Sequence, residues 1–258
     1  MEVVILPTAE QGGKLVADII ASALRTPGTI GLATGSSPLL AYRELIRRHR
    51  EEGLSFSGAQ AFLLDEYVGL PFGHEQSYRQ VIRRELTDHV DIDPAAVHSP
   101  DGSGDDPLSA AEAYEKALVA AGPVRVQVLG IGANGHVGFN EPGSSLSSTT
   151  RIKTLTEQTR QDNARFFSSA EEVPRHVITQ GLGTIRRAEH LVLTAVGEHK
   201  AAAVAAAVEG PLSASCPASI LQWHQHATVV IDDAAAAQLH RADYYRYTFE
   251  HKLTGQGF

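Results

Sequence analysis

Short runs of apolar residues alternate with helical patterns from one end of the chain to the other, and this alternation restricts the fold more than any other feature of the sequence. Val3-Val4-Ile5-Leu6 reads as a first strand. Thr8, with Gln11 three residues on, has the spacing of a capping box and predicts a helix start. In that helix Leu15, Ile19 and Ala23, with Val16, Ile20 and Leu24, recur every four residues and mark one buried face. Further strands are predicted at 29–33, 59–64, 124–130, 190–196 and 227–231, and helices at 38–50, 77–89, 108–121 and 199–208. The strands are apolar throughout. Such strands are covered on both faces, so the pattern predicts an α/β fold with a mostly parallel sheet and helices on both faces. The polar run Ser99–Pro107 has nine residues, which makes it a loop and not a boundary. Thr154–Arg175 is polar, has no strong apolar face, and suits either a surface helix or a mobile lid. One domain, 1–258, is expected.

A chain of 258 residues buries most of its apolar surface without disulfides or metal. Its single cysteine, Cys216, has no partner for an intramolecular bridge, as suits a reducing compartment. The start, Met1-Glu2-Val3-Val4, lacks the basic region of a signal peptide. The longest unbroken apolar run, Ala201–Val208, falls far short of the ~20 residues that cross a bilayer. A soluble cytoplasmic protein with no membrane partner is the expectation. The net charge of −8 disfavours nucleic acid unless basic residues cluster. The one basic run, Arg47-Arg48-His49-Arg50, is followed at once by Glu51-Glu52 and reads as a solvated helix end.

Ligands of such sheets bind beyond the carboxyl ends of the strands, and four predicted strand ends carry unusual residues. After the second strand comes Thr34-Gly35-Ser36-Ser37-Pro38. Ser37 can N-cap the next helix, and Gly35 lets backbone approach a ligand. Free N–H groups and the Ser36 and Ser37 hydroxyls would then face an anion. An ordinary strand–helix turn has the same composition. The loop lacks the Lys-Ser/Thr ending of a nucleotide P-loop and suits one phosphate better than three. The next site is Asp65-Glu66-Tyr67, where two acids follow a buried strand. A carboxylate desolvated there gains the basicity that proton abstraction from carbon needs, unless the pair merely caps a neighbouring loop. The third runs from Gly130 to Gly143 and contains Gly130-x-Gly132-x-x-Gly135. That spacing matches a dinucleotide fingerprint, but Gly138, Pro142 and Gly143 follow too closely for the helix such a motif must open. What remains is a backbone-rich loop presenting Asn134, His136 and Glu141, a histidine whose tautomer its neighbours can fix. The fourth places Lys200 just past Gly197-Glu198-His199, to pair with an anion at the same edge or to stand in solvent.

LATGSSP (32–38), LLDEYVGL (63–70), GIGANGHVGFNEPGSSL (130–146), RIKTLT (151–156), ARFF (164–167) and GEHKAAAVAAAVEG (197–210) together resemble the glucosamine-6-phosphate deaminase family, in its order and spacing across nearly the whole chain. The resemblance implies a single Rossmann-like domain and a hydrolase or isomerase acting on an amino sugar phosphate, with no cofactor, metal or nucleotide. It implies that glucosamine 6-phosphate becomes fructose 6-phosphate and ammonia in amino sugar catabolism. By the same resemblance Asp65 is the base that shuttles a proton between C2 and C1. His136 assists ring opening, supported by Asn134 and Glu141, and the phosphate is held by Gly35, Ser36, Ser37, Arg165 and Lys200. Arg165 falls in the polar segment that the family uses as a lid. Many members carry Asp where this chain has Asn134; an amide orients a histidine but leaves Glu141 alone to stabilise its cation. Large members are hexamers activated by N-acetylglucosamine 6-phosphate, and Ser144, Arg151 and Lys153 match effector positions of that type. A homo-oligomer is therefore one expectation, although residues 241–258 do not align with the effector-binding members.

The galacto epimer is a rival substrate for the same inventory. Two readings of other classes compete with it. A sugar-phosphate sensor would need an attached basic helix-turn-helix, for which there is no room before Val3. A 6-phosphogluconolactonase-like hydrolase would cleave an ester and would not need Asp65 as a carbon base.

Overall fold

The apolar strands lie side by side and parallel in the computed structural model, which describes residues 1–253, 256 and 258. In chain order the elements are β1 (Glu2–Leu6), α1 (Ala9–Ala23), β2 (Gly28–Leu32), α2 (Leu39–Glu52), β3 (Ala59–Leu63), β4 (Asp65–Tyr67), α3 (Tyr78–Glu85), β5 (Val97–His98) and α4 (Pro107–Ala120). They continue with β6 (Val124–Leu129), β7 (Arg151–Thr154), α5 (Glu157–Asn163), β8 (His176–Thr179), α6 (Leu182–Ile185), β9 (His190–Ala195), α7 (Ala201–Val208), β10 (Ala227–Asp232) and α8 (Ala242–Glu250). Seven strands form one sheet in the order β1-β10-β9-β6-β2-β3-β5, with every neighbouring pair parallel. All six residues of β9 are buried, so both faces of the sheet are covered, as strands apolar throughout require. The predicted cap is present: Thr8 Oγ1 accepts the Gln11 N–H at 3.3 Å, and α1 turns Val16, Ile19 and Ile20 into the core.

Several local expectations are corrected. Ser37 does not cap α2; the helix starts at Leu39 from Pro38, with no side-chain hydrogen bond at its cap. The helix predicted over 77–89 ends at Glu85 and continues only as a 3-10 turn at Thr87–His89. The sequence pattern also missed a second sheet, the antiparallel β4-β8-β7. Its strands Asp-Glu-Tyr and Arg-Ile-Lys-Thr are too short and polar for an apolar period to show. Tyr67, Phe139, Leu155, Val173 and Val177 form a small core of their own there. The polar segment 154–175 is thus anchored at both ends by buried residues, Leu155 and Val173. Among the described residues no helix is long and apolar enough to cross a membrane.

The four strands whose ends carry unusual residues are β9, β6, β2 and β3, four consecutive neighbours in the sheet. Being parallel, they deliver all four loops to one edge. Strand order reverses between β2 and β6, where a crevice opens in sheets of this kind.

Candidate active site

Two acids in sequence have separate roles here, because successive side chains of a strand point to opposite faces. Glu66 serves as a cap: its carboxylate accepts the N–H groups of Tyr67 and Tyr78 at 2.9 Å and of Arg79 at 3.0 Å, fixing the start of α3. Asp65 has no such duty. It is 5% exposed, and among the described residues no group donates a hydrogen bond to its carboxyl. Burial, with the Glu66 charge beside it, pushes the Asp65 carboxyl up to about 8. That is the range a general base for carbon acids works in near neutral pH. The end of its strand is braced, since the Leu63 carbonyl accepts from the Tyr114 hydroxyl at 2.5 Å and from Gln180 Nε2 at 3.0 Å.

The loop after β6 opens no helix. Gly132 N–H donates to the His136 carbonyl at 2.9 Å and Gly135 N–H to the Gly132 carbonyl at 3.0 Å, which closes two tight turns. Inside them Asn134 bridges two catalytic candidates. Its Nδ2 donates to Glu141 Oε2 at 2.6 Å, and its Oδ1 lies 2.7 Å from His136 Nδ1. An ionised carboxylate only accepts, so the amide nitrogen must face Glu141 and the amide oxygen must face the imidazole. Nδ1 of His136 therefore carries a hydrogen, and in the neutral ring Nε2 is left as the base. Glu141 Oε2 stands 3.6 Å from the same Nδ1. Burial alone would raise Glu141, but the neighbouring His136, with the hydrogen bonds from Thr159 and Asn134, holds it down at about 2. The Asp65 carboxyl approaches the backbone of this loop: a Cβ on Gly138, two residues past His136, would lie 3.6 Å from Asp65 Oδ2.

At the edge formed by β2, Gly35 adopts φ +100, open to a glycine at no cost, with no atom within 4 Å of where a Cβ would stand. The Tyr42 hydroxyl donates to the Ala33 carbonyl at 2.7 Å and accepts its N–H at 3.1 Å, pinning the start of this loop. Ser36 is exposed and Ser37 half-buried, and with α2 uncapped both hydroxyls remain available to an anion. Lys200, in the 3-10 turn that leads into α7, is half-buried, whereas Arg165 is exposed with its guanidinium 4.8 Å over the Phe166 ring. Burial and the nearby Arg165 cation push the Lys200 ammonium below its ordinary value, with Asp162 acting the other way. Two cations held within reach of each other are an arrangement an anion relieves. Arg165→Ala and Lys200→Ala are each expected to weaken binding of phosphorylated substrate about 10–100-fold, the worth of a hydrogen bond to a charged group. The KM values of the two variants check this, and unchanged KM in both would remove the anion site.

Of the remaining predicted positions, Ser144 is buried and its backbone N–H donates to the Glu141 carbonyl at 3.0 Å. Arg151 and Lys153 share one face of β7, and burial pushes the Arg151 guanidinium below its ordinary value. Sequence reasoning missed Thr159, whose hydroxyl donates to Glu141 Oε1 at 2.6 Å. It also missed Asn163, which donates to the Tyr67 hydroxyl at 2.9 Å. The signal was faint: the two are four residues apart on α5, a polar pair on the inner face of a helix with no apolar stripe. Among the described residues no group of three or more His, Cys, Asp or Glu is placed to hold a metal ion.

Residues 7–230 match the family model of glucosamine-6-phosphate isomerases and 6-phosphogluconolactonases. The chain belongs to this family. Within the glucosamine-6-phosphate isomerase/6-phosphogluconolactonase family, it is 62% identical over its full length to the whole glucosamine-6-phosphate deaminase of Rhodococcus opacus. It is 57% identical, again end to end, to that of Streptomyces avermitilis. A solved monomeric glucosamine-6-phosphate deaminase superposes with a TM-score of 0.90 at 40% identity, covering 92% of this chain and all of that one. The 6-phosphogluconolactonase of Trypanosoma cruzi, at 19% identity and a TM-score of 0.71 over 93% of this chain, shares the fold alone. The hydrolase class carried by the resemblance finds no support in the names of the high-identity relatives, which are those of deaminases.

Proposed function

We propose that this chain is a glucosamine-6-phosphate deaminase, which isomerises and deaminates glucosamine 6-phosphate to fructose 6-phosphate and ammonia. The observation that carries the reading is the presence at one sheet edge of a largely buried carboxyl at about 8, Asp65, and of a histidine whose Nε2 is left as the base. The phosphate, held by the 34–38 loop with Arg165 and Lys200, orients the sugar, and its binding energy is used at the reacting carbons. His136 Nε2 takes the proton of the anomeric hydroxyl and returns one to the ring oxygen, opening the ring. With C1 now a carbonyl, the C2 proton is acidic, and Asp65 removes it to leave an enol amine. Asp65 then returns the proton to C1. The C2 iminium so formed adds water and expels ammonia, giving the ketose. Glu141 stabilises the imidazolium through Asn134, and residues 154–175 act as the lid over the substrate. Ser144, Arg151 and Lys153 are retained as an effector anion site, and the enzyme is read as cytoplasmic.

The test is ammonia release from glucosamine 6-phosphate, its galacto epimer and unphosphorylated glucosamine, with and without the N-acetylated sugar phosphate. The gluco phosphate is expected to be turned over, with the unphosphorylated sugar at least 10²-fold poorer in kcat/KM, since it lacks the group that positions it. No ammonia from either phosphorylated amino sugar would end this reading. Faster release from the galacto epimer would transfer it to that substrate.

A further inference from the structure

Helix α5 reaches the Glu141 carboxylate through one side chain. Glu141 is 6% exposed and has two oxygens to satisfy. Oε2 takes the Asn134 amide and faces His136, while Oε1 takes the hydroxyl of Thr159 at 2.6 Å. Thr159 is itself buried, and its hydroxyl has no choice of direction. The Thr156 hydroxyl donates to Thr159 Oγ1 at 2.9 Å, so the single hydrogen on Thr159 is committed to Glu141. Thr156 also caps α5, accepting the Thr159 backbone N–H at 3.1 Å, which fixes the position of the donor. The result is one directed chain: Thr156 to Thr159 to Glu141, with Asn134 joining the other carboxylate oxygen to His136.

The geometry points to Thr159 as a positioning residue for the ring-opening histidine: its hydroxyl holds the outer oxygen of Glu141 and thereby sets the Glu141–Asn134–His136 relay. The inference rests on the deaminase reading and deepens it, because it makes the seating of α5 a condition for ring opening as well as for phosphate contact. Without that donor Oε1 loses its protein partner, the carboxylate turns, and the Asn134 amide no longer presents its oxygen squarely to Nδ1. Removal of C2–H by Asp65 does not pass through this chain.

The experiment compares wild type, Thr159→Val, Thr159→Ser, Glu141→Gln and the Thr159→Val/Glu141→Gln double variant. Valine keeps the branch and volume but not the hydroxyl, and the cap on α5 survives because it uses the backbone. Thr159→Val is expected to lower kcat on the cyclic sugar phosphate about 10–100-fold, with KM changed less than threefold, and Thr159→Ser to stay within about threefold of wild type. An open-chain amino alcohol phosphate, which needs no ring opening, should inhibit wild type and Thr159→Val with the same inhibition constant within about twofold. In the Glu141→Gln background, Thr159→Val should cost less than about twofold more, since residues acting through one another are not additive. Unchanged kcat in Thr159→Val, a multiplicative loss in the double variant, or inhibitor binding weakened in step with kcat would each overturn the inference. Wild type that releases no ammonia would instead overturn the deaminase reading itself, so the two failures are separate.

Discussion

Asp65→Asn is expected to lower turnover roughly 10²–10⁴-fold, the usual worth of a positioned general base, and to make the protein more stable at the same time. The loss follows because an amide of the same shape accepts no proton from C2, so exchange of the C2 hydrogen with solvent should disappear while KM changes little. The gain follows from the environment. In the fold the Asp65 carboxyl is raised from 3.8 to about 8 by burial and by Glu66, with no donor to offset them. Between those two pH values the folded chain holds a proton there that the unfolded chain has released, so stability falls as pH rises through this window. Above about 8 the buried charge is fully present. Replacing it by a neutral amide removes the penalty of an unpaired buried ion, about 1–3 kcal/mol or more. For a chain of this size that corresponds to several degrees in Tm. Melting curves of both proteins from pH 5 to pH 9 should show a Tm advantage for the variant that widens with pH. Near-normal turnover in a folded Asp65→Asn protein would defeat the assignment of the base, and a Tm difference independent of pH would defeat the account of its environment. The wild-type kcat/KM should correspondingly climb with pH until Asp65 is ionised near 8.

A single methyl group should be almost as damaging at Gly132. A Cβ built there would fall within the envelope of the His136 ring, against Nδ1, Cε1 and Nε2 together. The backbone at this point is tied by the bonds to His136 and from Gly135, so the side chain is the softer party and must move. Moving the ring breaks its contact with Asn134 Oδ1, and with it the tautomer that leaves Nε2 as base. Displacement of a catalytic group by about 1 Å is enough to cost 10²-fold. Gly132→Ala should therefore fold, lose about two orders of magnitude in kcat, and still bind an open-chain substrate analogue. Activity within threefold of wild type would show that ring opening does not depend on the imidazole's present position.

Much of the fold was legible in the sequence because burial imposes a period. β3, β6, β9 and β10 fall within a residue of their predicted limits, since an apolar run bounded by turn residues has one reading when both faces must be covered. The antiparallel sheet left no such trace. Its strands pair through backbone hydrogen bonds, to which side-chain type contributes little when three or four residues suffice. α8 also went unread: none of its residues is buried, so no apolar stripe was needed to place it.

The residues of the site were present in the sequence as chemical types, and the long motifs in register named the family before any contact was known. Their division of labour was not. Glu66 and Asp65 are adjacent acids in the chain, and only the course of β4 sends one to cap α3 and leaves the other without a donor. Asn134 reads in sequence as a weaker aspartate. In the fold its amide is used on both sides, one donating to Glu141 while the other accepts from His136, a bridge that an ionised aspartate does not make. Thr159 lies 18 residues from Glu141, a separation that no local period reports. Local periodicity and residue chemistry thus determined which segments are strands of the central sheet and which side chains are candidates for the chemistry, because both act within a few residues. Tertiary structure alone decided that β9, β6, β2 and β3 stand side by side, and so that four distant loops share one edge. Strand order is chosen by the packing of the whole sheet, an energy that no single segment of the chain carries.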